Sequence, residues 1–152
     1  MNNAKIALVV GAILLTGCFL MNTQLKRWIF GAKSKYHLLG VHSDLQKVTE
    51  RALELSPFDF GITSGKRTAA EQYRLFCKDL SNCDGYEVLS NHQSGRAVDF
   101  VAYDENGKVT WDMDYYKVIS EAFKQAAKEL NIPITWGGDW ASFKDGPHIE
   151  LA

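Results

Sequence analysis

The stretch SNHQSGRAVDF, Ser90 to Phe100, sets His92 seven positions before Asp99 with mostly small and polar side chains between them. Histidine and carboxylate are both metal ligands and proton carriers, yet a pair at this spacing equally fits a histidine hydrogen-bonded to a nearby carboxylate. The C-terminus enlarges the set. In KDGPHIEL, Pro147 leads into His148, Glu150 follows two residues later, and Asp145 lies three residues before the histidine. His92, Asp99 and His148 form a three-ligand set for one catalytic zinc, with a fourth position left for water. Asp145 is placed to serve that water as a base without being a ligand, since hydrolysis needs a group that carries the proton to the leaving amine. Glu150 either orients a ligand histidine or is an exposed strand residue near the terminus.

Three more residues border this set. Arg67 immediately precedes the expected start of a helix at Thr68. Positive charge there suits an oxyanion or a substrate carboxylate, although the residue alone is also consistent with a surface arginine. Trp136 and Trp140 bracket WGGDW, which fits a pocket wall or core packing. His37 and His42 lack ligand spacing to the cluster and are assigned to structure.

The elements that must position these groups are mixed. Ser43 is expected to cap a helix on which Leu45, Val48, Ala52 and Leu55 recur at helical spacing, ended by Pro57. DFGIT reads as a short strand and SGKR as a turn. Thr68-Ala-Ala-Glu71 has the form of a capping box. Gly95 to Ala102 reads as a strand with Gly95, Ala97 and Asp99 on one face and Arg96, Val98 and Phe100 on the other. Glu105 to Lys108 is a hairpin turn. A helix from about Asp114 to Leu130 faces Tyr116, Ile119, Phe123 and Ala127 inward, and IPITW and PHIEL supply the last strands. Helices and antiparallel strands in mixed order indicate the α+β class.

The 152 residues suit one compact domain, expected to act as a monomer. The net charge of -1, with scattered cations, gives no electrostatic basis for nucleic-acid binding. Ile6 to Met21 carries no charge, longer than a secretory apolar core and short of a comfortable span of ~20 residues. It fits a cleaved signal, a short membrane anchor, or a lipoprotein signal through Leu15-Thr16-Gly17-Cys18, with the anchor preferred. Each places the remainder at or beyond a membrane, and the anchor reading has it face the periplasm from the inner membrane, open to later release. The expected division is residues 1–22 as signal or anchor, 23–36 as a linker, and 37–152 as the catalytic domain. Cys77 and Cys83 are expected to close a small disulfide loop after export.

SNHQSGRAVD resembles the S-x-H-x-x-G-x-A-x-D motif of the zinc peptidases that include D-alanyl-D-alanine carboxypeptidases and phage L-alanyl-D-glutamate endopeptidases. GVHSDL, SGKRTAAEQ, WGGDW and DGPHIE are similar to the endopeptidase branch, in the same order from about His37 onward. The resemblance implies the α+β fold shared by DD-peptidases and Hedgehog proteins, a small antiparallel sheet with packed helices. It also implies zinc on His92, Asp99 and His148, with Asp145 as base, Arg67 as transition-state stabiliser and Ser90 near the site. Trp140 is expected at the substrate. The implied activity is hydrolysis of peptidoglycan stem peptides between L-alanine and D-glutamate by a phage endolysin or related lytic enzyme. A D-alanine carboxypeptidase and a non-catalytic, metal-containing wall-binding module are the alternatives. Residues 77–89, CKDLSNCDGYEVL, depart from the pattern.

Overall fold

The computed structural model describes residues 28–152. The apolar run Ile6 to Met21 and Cys18 lie outside the described residues, and among those described no helix is long and apolar enough to cross a membrane. The folded part begins earlier than expected. Helix α1 spans Ala32–His37, and Phe30 ahead of it is buried edge-on against Phe60, ring centroids 5.6 Å apart. The Ser34 hydroxyl accepts a hydrogen bond from the Ile62 amide at 3.0 Å. Part of the stretch read as a linker therefore belongs to the domain, which starts before His37. One aromatic anchor and one turn of helix are too short to show a periodicity.

Helix α2, Ser43–Leu55, buries Leu45, Val48, Ala52 and Leu53. Its cap is His42 rather than Ser43, the imidazole Nδ1 accepting from the Asp44 amide at 3.3 Å. Strand β1, Phe60–Ser64, leads to helix α3, Ala69–Phe76, whose Thr68–Glu71 capping box forms as the spacing required. Strand β2, Ala97–Tyr103, turns back through residues 104–108 into β3, Val109–Thr110. Helix α4, Met113–Leu130, ends on Asn131 in the left-handed region (φ 55°), as helix ends commonly do. Strand β4, Ile134–Trp136, a single 3-10 turn at Gly137–Asp139, and strand β5, His148–Leu151, complete the chain.

The sheet runs β1-β2-β5-β4, antiparallel throughout, with β3 extending the β2 hairpin. Helices α2 and α4 pack on each other, and α4 lies against β2 and β4. Alternation along the strands divides the two faces. Val98, Phe100, Ile149 and Leu151 join the core, where Phe123 stacks obliquely on Phe60 and Phe100 at 5.2 and 5.5 Å. Asp99, His148 and Glu150 occupy the opposite face. Gly95 is not a strand residue as the alternation implied. It turns the chain just before β2 with φ +71°, and a Cβ there would collide with the Gly40 carbonyl.

Candidate active site

Asp99 on β2 and His148 on β5 are direct cross-strand partners, so the sheet itself sets one ligand beside the other. His92 comes from the tight loop before β2, where the Gly95 amide bonds to the His92 carbonyl at 3.1 Å and the Arg96 amide to Asn91 at 2.8 Å. The Ser90 hydroxyl accepts from the His92 amide at 3.3 Å, which gives this serine a local role in shaping the loop.

The three side chains converge. Asp99 Oδ1 lies 3.3 Å from His92 Nε2 and 3.2 Å from His148 Nδ1, and the candidate ligand atoms all fall within 4.8 Å of one another. The far nitrogens are already engaged. His92 Nδ1 lies 2.8 Å from the Gly65 carbonyl, and His148 Nε2 lies 3.0 Å from Glu150 Oε2. Both partners only accept, so each far nitrogen carries its hydrogen and each near nitrogen turns a lone pair inward. With both rings neutral, three electron-rich atoms face one another, an arrangement that a cation satisfies. The donor set fits zinc, with an oxygen and two imidazoles whose outer nitrogens are held in orientation.

Without a cation, protons take its place. Burial by itself would lower the His148 pKa, but hydrogen bonds to Asp99 and Glu150 outweigh it and push the imidazole up to about 9. Burial would raise Asp99; the hydrogen bonds from His148 and His92, with the charges of His92 and Arg67, instead hold its carboxyl well below the ordinary range. Glu150 is drawn down chiefly by its bond to His148, against burial, and also accepts from Asn91 Nδ2 at 2.8 Å.

Arg67 packs beside this cluster. One guanidinium nitrogen donates to Asp99 Oδ2, Nε donates to Ser64 Oγ at 2.9 Å, and Nη1 donates to Gln72 Oε1 at 3.3 Å. Gln72 is fully buried, and its amide nitrogen donates onward to Ser81 Oγ at 2.7 Å and the Cys83 carbonyl at 3.0 Å. The segment that departs from the family pattern is therefore tied to Asp99 through Gln72 and Arg67. Its two cysteines are free thiols, so the expected disulfide is not present. The hydrogen bonds of Gln72 hold the loop where a disulfide was anticipated.

Asp145 stands on the β4–β5 connection, its amide bonded to the Gly137 carbonyl at 3.1 Å and its carbonyl accepting from the His148 amide at 3.2 Å. A Cβ on Gly137 would press on Asp145 and on His148 Cβ at 3.1 Å, so this glycine permits their close packing. Burial, then the nearby Asp99 charge, raises the Asp145 pKa, the direction that suits a base working nearer neutrality. Trp140 lies beside His148, ring centroids 5.1 Å apart, while Trp136 is buried and donates its indole N–H to the Gly146 carbonyl at 2.7 Å.

Arg67, Ser90, His92, Asp99, Trp140, Asp145, His148 and Glu150 all line one cavity of about 500 Å³. A larger apolar groove of about 980 Å³ beside α4 contains none of them. Gly65, Gln72 and Asn91 were not singled out from the sequence. Gln72 lay within the quoted SGKRTAAEQ, but nothing in a lone glutamine signals full burial. His37 and His42 stay out of the cavity, as assigned.

Comparison with known proteins agrees with this geometry. The chain is 39% identical over 140 residues to the L-alanyl-D-glutamate peptidase of Escherichia phage T5, covering 80% of this chain and 96% of that one. It is 32% identical over 101 residues to the peptidoglycan L-alanyl-D-glutamate endopeptidase CwlK of Bacillus subtilis (strain 168), covering 61% of this chain and 60% of that protein. The crystal structure of the Serratia marcescens L-Ala D-Glu endopeptidase ChiX superposes with a TM-score of 0.74 at 37% identity, covering 86% of this chain and 94% of the other. The profile of the phage L-alanyl-D-glutamate peptidases matches residues 27–152, all of the described chain and every residue of the cavity, so the protein is a peptidase that belongs to that family.

Proposed function

We propose that this chain hydrolyses the L-alanyl-D-glutamate bond of peptidoglycan stem peptides, as an endolysin-type lytic enzyme, with one zinc held by His92 Nε2, Asp99 Oδ1 and His148 Nδ1. The supporting observation is the inward convergence of these three atoms while both outer imidazole nitrogens are engaged by Gly65 and Glu150. Bound zinc supplies Lewis acidity toward the scissile carbonyl and makes water attack feasible near neutral pH. The chain supplies the rest. The Asp145 carboxylate takes a proton from the attacking water and returns it to the leaving amine nitrogen. Arg67 sets a fixed positive charge at the cavity wall, where negative charge grows on the carbonyl oxygen as it becomes tetrahedral. Trp140 offers an aromatic surface to the peptide beside His148.

The uncharged run Ile6 to Met21 supports a further part of the reading, that an N-terminal anchor brings the domain to the periplasmic side of the inner membrane. Intact-mass measurement of membrane and soluble fractions tests it. A chain starting at Cys18 with added acyl mass would replace the anchor with a lipoprotein.

Mass spectrometry of digested peptidoglycan tests the activity. The expected product is a stem peptide beginning at D-glutamate, with L-alanine left on the glycan. Release of free D-alanine alone would instead establish a carboxypeptidase, and no release would indicate a binding module.

A further inference from the structure

Beside the metal-binding cavity lies a second cleft of about 650 Å³, and the two share Thr63, Arg67 and Leu75 as a common wall. Beyond Arg67 this cleft is lined by Lys66, Arg74 and Lys78, with Glu71 as its one carboxylate. Glu71 is already committed to the capping box, its Oε2 accepting from the Thr68 amide and hydroxyl at 2.8 Å each. Lys66, Arg74 and Lys78 form no ion pair among the described residues, whereas Lys47, Arg51, Lys117 and Lys124 each do. The negative end of the α3 dipole accounts in part for Arg74 and Lys78, although like charges four residues apart repel. It does not account for Lys66, which reaches the cleft from the β1–α3 connection. Cations brought together from separate segments around a single carboxylate create a net positive potential that an anion would relieve.

We propose that this cleft is a carboxylate subsite of the peptidase. Resting on the activity proposed above, it receives the free carboxylate of the D-glutamate and the anionic groups that follow it. A glutamate continues a peptide through only one of its two carboxyl groups, so the other remains ionised next to the bond that is cut. Arg67, shared by both cavities, marks the passage from the reacting carbonyl to that charge. The scissile bond is thus placed by an anion held beyond it.

The test uses the full chain with zinc and two synthetic stem peptides that differ only in whether the free D-glutamate carboxyl is ionised or amidated. The wild type is expected to prefer the ionised peptide about tenfold in kcat/KM, carried by KM, the scale of one charge-assisted contact. The variant Lys66→Ala/Arg74→Ala/Lys78→Ala should lose that preference and cut both peptides as the wild type cuts the amidated one. Unchanged Tm and zinc content show that the variant is folded. Should it fail to fold, the single variants Lys66→Gln and Lys78→Gln carry the comparison. Equal rates on both peptides by the wild type, or a preference retained by the variants, overturn the subsite while the peptidase stands. A wild type that cuts neither peptide overturns the peptidase reading, and the subsite with it.

Discussion

Glu150 grips the outer nitrogen of His148 at 3.0 Å while the inner nitrogen of the same ring faces Asp99 at 3.2 Å. The two carboxylates therefore fix the orientation of the His148 ring, and Glu150 keeps a hydrogen on the outer nitrogen when the inner one gives up its proton to a metal. Glu150→Ala should weaken zinc affinity by about 10–100-fold, the usual cost of losing such a partner. Activity should recover at high zinc. A competition titration against a chelator measures the affinity, and an unchanged value would remove Glu150 from this role.

Ligand and base separate by a different measurement. His92→Ala and His148→Ala should lose both zinc and activity, because two ligands hold the ion poorly. Asp145→Asn should keep stoichiometric zinc while kcat falls by at least ~100-fold. Metal content and turnover, measured on the same preparations, give the answer; full turnover by Asp145→Asn would assign the base elsewhere.

Proton and metal compete at His148. Its folded-state pKa of about 9 lies above the ordinary value of 6.5. In the metal-free protein the contribution of this imidazolium to stability is fully present below the ordinary value and is lost as pH rises toward 9. Zinc must displace the same proton, so its affinity should fall as pH drops below 9. Melting curves of metal-free protein between pH 6 and pH 10, with zinc titrations alongside, check both directions. A pH-independent zinc affinity across that window would contradict the raised pKa.

Gln72 links Arg67 to the loop at Ser81 and Cys83. Gln72→Ala should cost about 1–3 kcal/mol by leaving buried polar groups unpaired. It should also raise KM more than it lowers kcat, because the cavity wall loosens while Asp99 and His148 stay on the sheet. Gln72→Glu keeps an acceptor for Arg67 but loses the donor to the loop, and should restore kcat without restoring KM. Identical kinetics for both variants would limit Gln72 to a structural role.

Phe30 is predicted to behave as core. Phe30→Ala should destabilise the protein by about 3 kcal/mol, read from denaturant unfolding. A near-neutral substitution would return residues before His37 to a tether.

The convergence of His92, Asp99 and His148 was legible in residue type and, for the strand residues, in alternation, which Ala97, Asp99, His148 and Glu150 obey in the sheet. The capping box at Thr68 was equally plain, since it is a contact within four residues. What the sequence concealed depends on contacts between distant segments. Phe30 reads as one apolar residue in a polar stretch until Phe60 meets it. Gly65 acts through a backbone carbonyl that any residue possesses. Gln72 serves both Arg67 and a loop whose own sequence has no regular period, and the cysteines there invited a covalent explanation for order that hydrogen bonds provide.

Asp99 and His148 face each other across β2 and β5, and this pairing has a consequence for assembly of the molecule. A slip of one residue between these strands would turn His148 and Glu150 into the core and bring Ile149 and Leu151 out beside Asp99. Such a chain could keep much of its secondary structure and still offer no three-atom cradle. A cation bound by these three atoms would thus act as a proofreader of strand alignment, adding its binding energy only to chains whose sheet has closed in the correct register.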